Sequence, residues 1–154
     1  MLAEAPDRFA LAGLSMGGIV AMEVLRQAPG RVTSLALLDT NPLAETDAVK
    51  VCRAPQIAKA RAGQLDSVMR DEMKPNYLTN GPDQSGTLRR FKKPALVLCG
   101  RDDALCPVAR HELMHALMPH STLCVINGAG HLPTLEQPAA TTVALNHWLK
   151  ESIK

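Results

Sequence analysis

An apolar run, Phe9-Ala10-Leu11-Ala12, leads into Gly13-Leu14-Ser15-Met16-Gly17-Gly18, and an Ala/Met/Val/Leu-rich stretch of helical character follows at once. A chain with that pattern has few options: a strand, a sharp turn with a serine at its tip, and a helix. Glycines at 13 and 17 are expected where a Cβ would collide with the neighbouring strand or helix. The position of the serine matters because its hydroxyl is a poor nucleophile until a base removes the proton. It must therefore stand within reach of a histidine. Met16, opening the helix, would present its backbone N–H where an oxyanion forms. Gly-x-Ser-x-Gly alone is common in ordinary turns, so the flanking strand and helix are what make Ser15 a candidate nucleophile.

If Ser15 is a nucleophile, an acid and then a histidine should follow it along the chain. Pro94-Ala95-Leu96-Val97-Leu98-Cys99-Gly100 reads as a buried strand and runs into Arg101-Asp102-Asp103-Ala104-Leu105-Cys106-Pro107. After a helical stretch comes the strand Thr122-Leu123-Cys124-Val125-Ile126, and then Asn127-Gly128-Ala129-Gly130-His131-Leu132-Pro133. Each polar candidate lies just past the C-terminal end of a strand, where open α/β sheets place their ligands. A lone histidine after a strand is usually a surface residue, but His131 completes an ordered set.

These segments resemble the α/β-hydrolase superfamily, in particular its short esterase- and lactonase-like members. The resemblance rests on Gly13 to Gly18, on Leu35-Ala36-Leu37-Leu38-Asp39-Thr40, on Gly100 to Pro107, and on Gly130-His131-Leu132-Pro133 with Glu136-Gln137-Pro138. It is weak between Val49 and Gln84. In that family the acid stands in Gly-x-x-Asp-x-x-x-Pro, which implies Asp103 as the triad acid, with Asp102 as the alternative beside it. The same matching implies Ser15 as nucleophile and His131 as general base. Asp39, also at a strand end, is a third possible acid, because some members take theirs from that place; otherwise it is a turn residue before Asn41-Pro42. Relatives carry strands ahead of the elbow, one followed by a loop that supplies the second oxyanion donor. Here the elbow begins a dozen residues from Met1, and the cap after Lys74-Pro75-Asn76-Tyr77-Leu78 reads as shortened. The expectation is a truncated α/β-hydrolase fold.

The coarse map is strand 9–14, helix 17–28, strand 32–38, a helical cap over 41–90, strand 94–99, helix 107–118, strand 122–126 and helix 138–151. Alternation of this kind implies a single α/β domain over 1–154, a parallel sheet with helices on both faces. Within the cap, 48–62 and 64–73 read as two helices separated by Gly63, with Ile57, Leu65, Val68 and Met69 seating them on the domain or lining an acyl pocket. Seventeen basic against fifteen acidic side chains leave a net charge of +2 with no clustered basic face, and there are four aromatic residues. Neither nucleic acid nor an anionic membrane is indicated as a partner. The first residues lack a basic leader with an apolar core, so no signal peptide is expected, and no run reaches membrane-spanning length. Cys52, Cys99, Cys106 and Cys124 form no Cys-x-x-Cys pair and read as free thiols of a cytoplasmic protein.

His111-Glu112-Leu113-Met114-His115 matches the zinc-binding His-Glu-x-x-His pattern, with Glu136 as a conceivable third ligand. Against zinc, this helix is short and amphipathic and occupies the slot after the triad acid. No metal or other cofactor is expected, and both histidines are expected to be exposed. Two functions stay open beside that zinc-hydrolase variant. One is a serine hydrolase of a small ester, lactone or thioester; the other is a catalytically impaired chain acting as a binding or accessory protein. The elbow strand has one edge without a partner in the chain, and such an edge invites homo-oligomer formation.

Overall fold

The computed structural model describes residues 2–44, 46–64, 67–68 and 83–152. Four strands, β1 (Phe9–Leu14), β2 (Val32–Leu38), β3 (Ala95–Gly100) and β4 (Ser121–Ile126), form one parallel sheet in the order β1-β2-β3-β4. Between and after them lie α1 (Met16–Gln27), α2 (Asp47–Arg61), α3 (Ser85–Arg90), α4 (Val108–Leu117), the short α5 (Pro133–Glu136) and α6 (Pro138–Ser152).

The central strands explain the architecture. All of Val32-Thr33-Ser34-Leu35-Ala36-Leu37-Leu38 but Thr33 is buried, its last four residues are apolar, and every residue of β3 is buried, as expected for strands covered on both faces. Side chains alternate between the faces. Leu35, Leu37 and Val97 pack with Met22 and Leu25 of α1, Leu88 of α3 and Met114 of α4. Ala36, Leu38, Leu96 and Leu98 pack on the other face with Ile126 and Trp148 of α6. Each fully buried leucine contributes about 1.5–3 kcal/mol relative to exposure, so the two layers hold the sheet from both sides.

The strands fall within one residue of the sequence expectation, and α1 begins at Met16 rather than residue 17. Two helices go beyond it. The six-residue α3 closes the cap region, and α5 forms where Pro133, preset for a first helical turn, follows the His131 loop. The expected second cap helix, with Leu65 and Met69, lies largely outside the described residues. Of the other proposed cap seats, Val68 is buried and Ile57 is half exposed. Among the described residues no helix is long and apolar enough to cross a membrane.

Two features of the sheet's surroundings bear on function. Among the described residues β1 pairs with β2 alone, so its other edge is unpaired. The chain also has a local basic cluster that overall charge does not reveal. Arg26, Arg90, Lys92 and Lys93 rim a hollow of about 180 Å³ floored by Leu25, Pro29 and Phe91. It lies at the end of the sheet where β3 begins, away from the strand ends that carry the candidate chemistry.

Candidate active site

Ser15 stands between β1 and α1 with φ 56° and ψ −117°, a left-handed conformation that a non-glycine residue adopts only under constraint. The constraints are visible. Its N–H donates to Leu38 O at 2.9 Å, and its carbonyl accepts from the Thr40 hydroxyl at 2.9 Å. Close packing completes the turn: a Cβ on Gly13 would fall 2.2 Å from the Gly17 carbonyl oxygen. The expectation for Gly17 is corrected, because a Cβ there meets nothing within 4 Å. The second crowded glycine is Gly18, against the Thr40 side chain, a contact invisible until β2 is laid beside α1.

From that turn a line of hydrogen bonds runs across three loops. Ser15 Oγ lies 2.8 Å from His131 Nε2, and His131 Nδ1 lies 2.8 Å from Asp103 Oδ2. Residues 116 and 28 positions apart in sequence meet because β1, β3 and β4 are parallel and end together. The Asp103 side chain is wholly buried. Burial opposes its charge, but the N–H groups of Cys106 and Leu105, both donating to Oδ1, and His131 hold the carboxyl below the usual range. A serine, an imidazole and an ionised carboxylate in this order are an arrangement chemically capable of relaying a proton.

The structure separates the three candidate acids. Asp102 is exposed and takes no part in the line. Asp39 is completely buried at the end of β2, with φ 41°, and its Oδ1 accepts the Gly100 N–H at 2.9 Å. Its partner is therefore the β3 backbone and not His131. Burial, and then the nearby Asp103 carboxylate, push the Asp39 carboxyl up to about 8 against the pull of that N–H.

Sequence reasoning missed three contributors. Glu136 accepts from Gly130 N at 2.7 Å and from Leu132 N at 2.9 Å, so one carboxylate grips the backbone on both sides of His131. Its hint was the resemblance at Glu136-Gln137-Pro138, read there without a role. Thr40 ties the Ser15 carbonyl, and its own N–H donates to His111 Nε2 at 3.2 Å. His111 is thus fully buried, which corrects the expectation that it faces solvent. Burial pushes its pKa down to about 4, leaving a neutral imidazole. Apolar periodicity alone could not distinguish it from its exposed neighbour His115, which instead bonds the Ser121 hydroxyl.

These partners also settle what the donors can hold. His111, His115 and Glu136 are each engaged separately and do not converge. Asp103, Cys106 and His131 bring potential ligand atoms within 4.8 Å of one another. However, both Asp103 oxygens and both His131 nitrogens are already in hydrogen bonds, and burial pushes the Cys106 thiol up to about 12. With those atoms engaged and the thiol protonated, the set does not fit a metal. Cys99, Cys106 and Cys124 are free thiols.

A model of the alpha/beta hydrolase family matches residues 1–145. The chain belongs to that family. Among curated proteins it is 25% identical to the pimeloyl-[acyl-carrier protein] methyl ester esterase of Legionella pneumophila, over 97% of this chain and 74% of that one. The aligned region is 177 residues long against a chain of 154, so the relative carries residues inside the matched span that this chain lacks. Among solved structures, a thermophilic esterase from Thermogutta terrifontis superimposes with a TM-score of 0.78 at 28% identity, covering 95% of this chain and 66% of that one. MenH from S. aureus gives 0.75 at 20% identity, covering 96% and 70%. This chain thus spans just under two-thirds of the Thermogutta esterase. The family is that of hydrolases, with esterases among the similar proteins.

Two of the shifted buried groups, Asp39 and His111, make a stability prediction. Asp39 holds its proton up to about 8 when folded but releases it near 3.8 when unfolded. Over that window the folded state binds the extra proton, so stability falls as pH rises. His111, lowered from 6.5 to about 4, does the opposite: between those values the unfolded state binds the extra proton and stability rises with pH. Their contributions cancel from about 4 to 6.5, and Asp39 alone acts from 6.5 to 8. The melting temperature, followed by circular dichroism, should decline through that upper window. The decline should vanish in Asp39→Asn.

Proposed function

We propose that the chain is a serine hydrolase of small carboxylic esters, lactones or thioesters, with Ser15 as nucleophile, His131 as general base and Asp103 as the acid that orients it. The observation that carries this reading is the continuous line from Ser15 Oγ through His131 to Asp103, each link 2.8 Å. Ser15 Oγ attacks the substrate carbonyl carbon while His131 Nε2 takes the hydroxyl proton. Asp103 stabilises the imidazolium. The C–O or C–S bond to the leaving group then breaks, and His131 returns the proton to the departing oxygen or sulfur. Water, deprotonated by the same nitrogen, attacks the acyl-serine; the bond to Ser15 Oγ breaks, His131 returns the proton to that oxygen, and the acid is released. The Met16 N–H, in the first helical turn where amides have no intrahelical partner, supports the oxyanion.

The surroundings favour an apolar acyl group. Within two residues of Ser15, Asp103 and His131 in sequence stand Met16, Leu105 and Leu132, 57%, 37% and 41% exposed, with Leu135 beyond at 75%. The similar proteins that cleave esters support the same class. A fluorophosphonate probe tests the reading: it should label the purified chain at Ser15. A folded chain that resists the probe and hydrolyses no short p-nitrophenyl ester would favour the accessory-protein reading instead.

We also propose that two copies associate through the free edge of β1. Its N–H and C=O groups are a template for another strand, and closure by a two-fold axis satisfies both copies at once. Light scattering should give a dimer or larger species. A well-behaved monomer at high concentration would overturn this.

A further inference from the structure

We infer that Asp39 is a positioning residue of the relay: a neutral carboxyl group that donates its proton to the Asp103 carboxylate and holds it in line with His131. The inference rests on the reading of Ser15, His131 and Asp103 given above. It starts from an orphan. Asp39 Oδ2 is buried and has no hydrogen-bond donor, although Oδ1 is satisfied by the Gly100 N–H. A carboxylate oxygen left without a donor in the interior is expensive, and nearly every such atom in a folded protein has a partner. Gly100 bridges the two acids: its N–H donates to Asp39 Oδ1 at 2.9 Å and its carbonyl accepts the Asp103 N–H at 3.5 Å, so the Asp103 carboxylate is the neighbouring charge that acts on the Asp39 carboxyl. Two ionised carboxylates have no hydrogen to share and repel. With one proton between them, the orphan oxygen becomes a donor and both groups are satisfied.

The proton belongs on Asp39 for a structural reason. Asp103 already accepts three hydrogen bonds, from Leu105 N, Cys106 N and His131 Nδ1, all of which favour its charged form. Asp39 accepts one. The other groups facing Asp39 supply no cation: Glu136 of α5, the Cys99 thiol of β3 and the Cys106 thiol. His111 of α4, on the next residue's N–H, is neutral. The Asp39–O–H would thus be the fourth donor to Asp103, the number that its two oxygens can accommodate. The backbone is consistent with a demanding position, since Asp39 and Ser15 are the two described non-glycine residues with positive φ. The two strained residues lie at opposite ends of the same chain of hydrogen bonds.

Asparagine can imitate the neutral acid, because its carbonyl accepts from Gly100 and its NH₂ donates to Asp103. It also tolerates positive φ. Glycine accepts the backbone angle but supplies no donor. Asp39→Gly should therefore lower kcat on a short ester by on the order of ten- to a hundredfold with KM little changed, as expected for losing a hydrogen bond to a charged group. Asp39→Asn should restore most of that loss and erase the inflection near pH 8 in the wild-type kcat profile. An independent readout needs neither turnover nor the glycine variant. Infrared spectra of the folded wild type at pH 7 should contain a protonated-carboxyl band that titrates away near pH 8 and is missing in Asp39→Asn. No such band overturns the proposal, as does an asparagine variant as slow as the glycine one. Failure of the underlying reading looks different: turnover that survives Ser15→Ala and Asp103→Asn while the band behaves as described.

Discussion

Ser15→Ala is expected to abolish ester hydrolysis and fluorophosphonate labelling, a loss on the order of a millionfold in kcat if the relay acts as a unit. The reason is that the rest of the site does nothing without the attacking oxygen. His131 Nε2 has Ser15 Oγ as its partner, and in the proposed reaction the Met16 N–H would serve only an oxyanion that the serine creates. Asp103→Asn should reduce kcat by about ten thousandfold for a different reason: an amide facing Nδ1 favours the imidazole tautomer that cannot accept the serine proton. Asp102→Asn should be mild, because that side chain is exposed and outside the line. Circular dichroism must show all three variants folded. Activity retained by Ser15→Ala would remove the serine reading, and a severe Asp102→Asn with an innocuous Asp103→Asn would move the acid by one residue.

How much of this was legible beforehand depended on the range of the interaction. Strands were readable to within a residue because β2 and β3 are mostly apolar and bounded by Pro and Gly, a local signal. That Ser15, Asp103 and His131 meet was legible because each follows a strand end and parallel strands bring those ends together, while the preference for Asp103 over Asp102 and Asp39 came from the family resemblance. What local patterns could not give was the function of polar residues whose partners lie on other elements. His111 sits on an amphipathic helix like any surface histidine, yet the amide it satisfies is on Thr40, 71 residues away. Asp39 reads as a turn residue or a third acid, and the complete burial and the orphan Oδ2 on which the positioning proposal rests appear only in the fold. Gly17 looked as constrained as Gly13 because both flank the serine. In the fold Gly13 is crowded by the Gly17–Gly18 backbone while a Cβ on Gly17 meets nothing, and the glycine that Thr40 crowds is Gly18. Charge behaved similarly: a net +2 concealed Arg26, Arg90, Lys92 and Lys93 around one hollow.

The second large effect is structural and falls on Gly100, the last residue of β3. A Cβ there would lie 2.1 Å from the Gly130 carbonyl oxygen and 2.3 Å from that of Ala129, both backbone atoms that no rotamer change can move. Gly100 is also pinned from the other side, by its pairing with Ile126 in β4 and by its N–H on Asp39 Oδ1. The only part that can give is the loop over 128–131, held by Asp102 N on the Ala129 carbonyl and by Glu136 on Gly130 N. Gly100→Ala should therefore cost about 3 kcal/mol or more, an overpacking penalty at the upper end of the usual range. For a domain of this size that lowers Tm by about 6–12 °C. Activity should fall further than stability does. Any shift of Gly130 displaces His131 from Ser15, and a misplacement of about 1 Å can itself reduce turnover a hundredfold. Assayed well below the lowered Tm, the folded alanine variant should thus be slow, with the deficit in kcat. A variant that melts within about 2 °C of the wild type and turns over normally would mean that β3 and the His131 loop are not in the contact described, since about 3 kcal/mol cannot be absorbed with so small a shift.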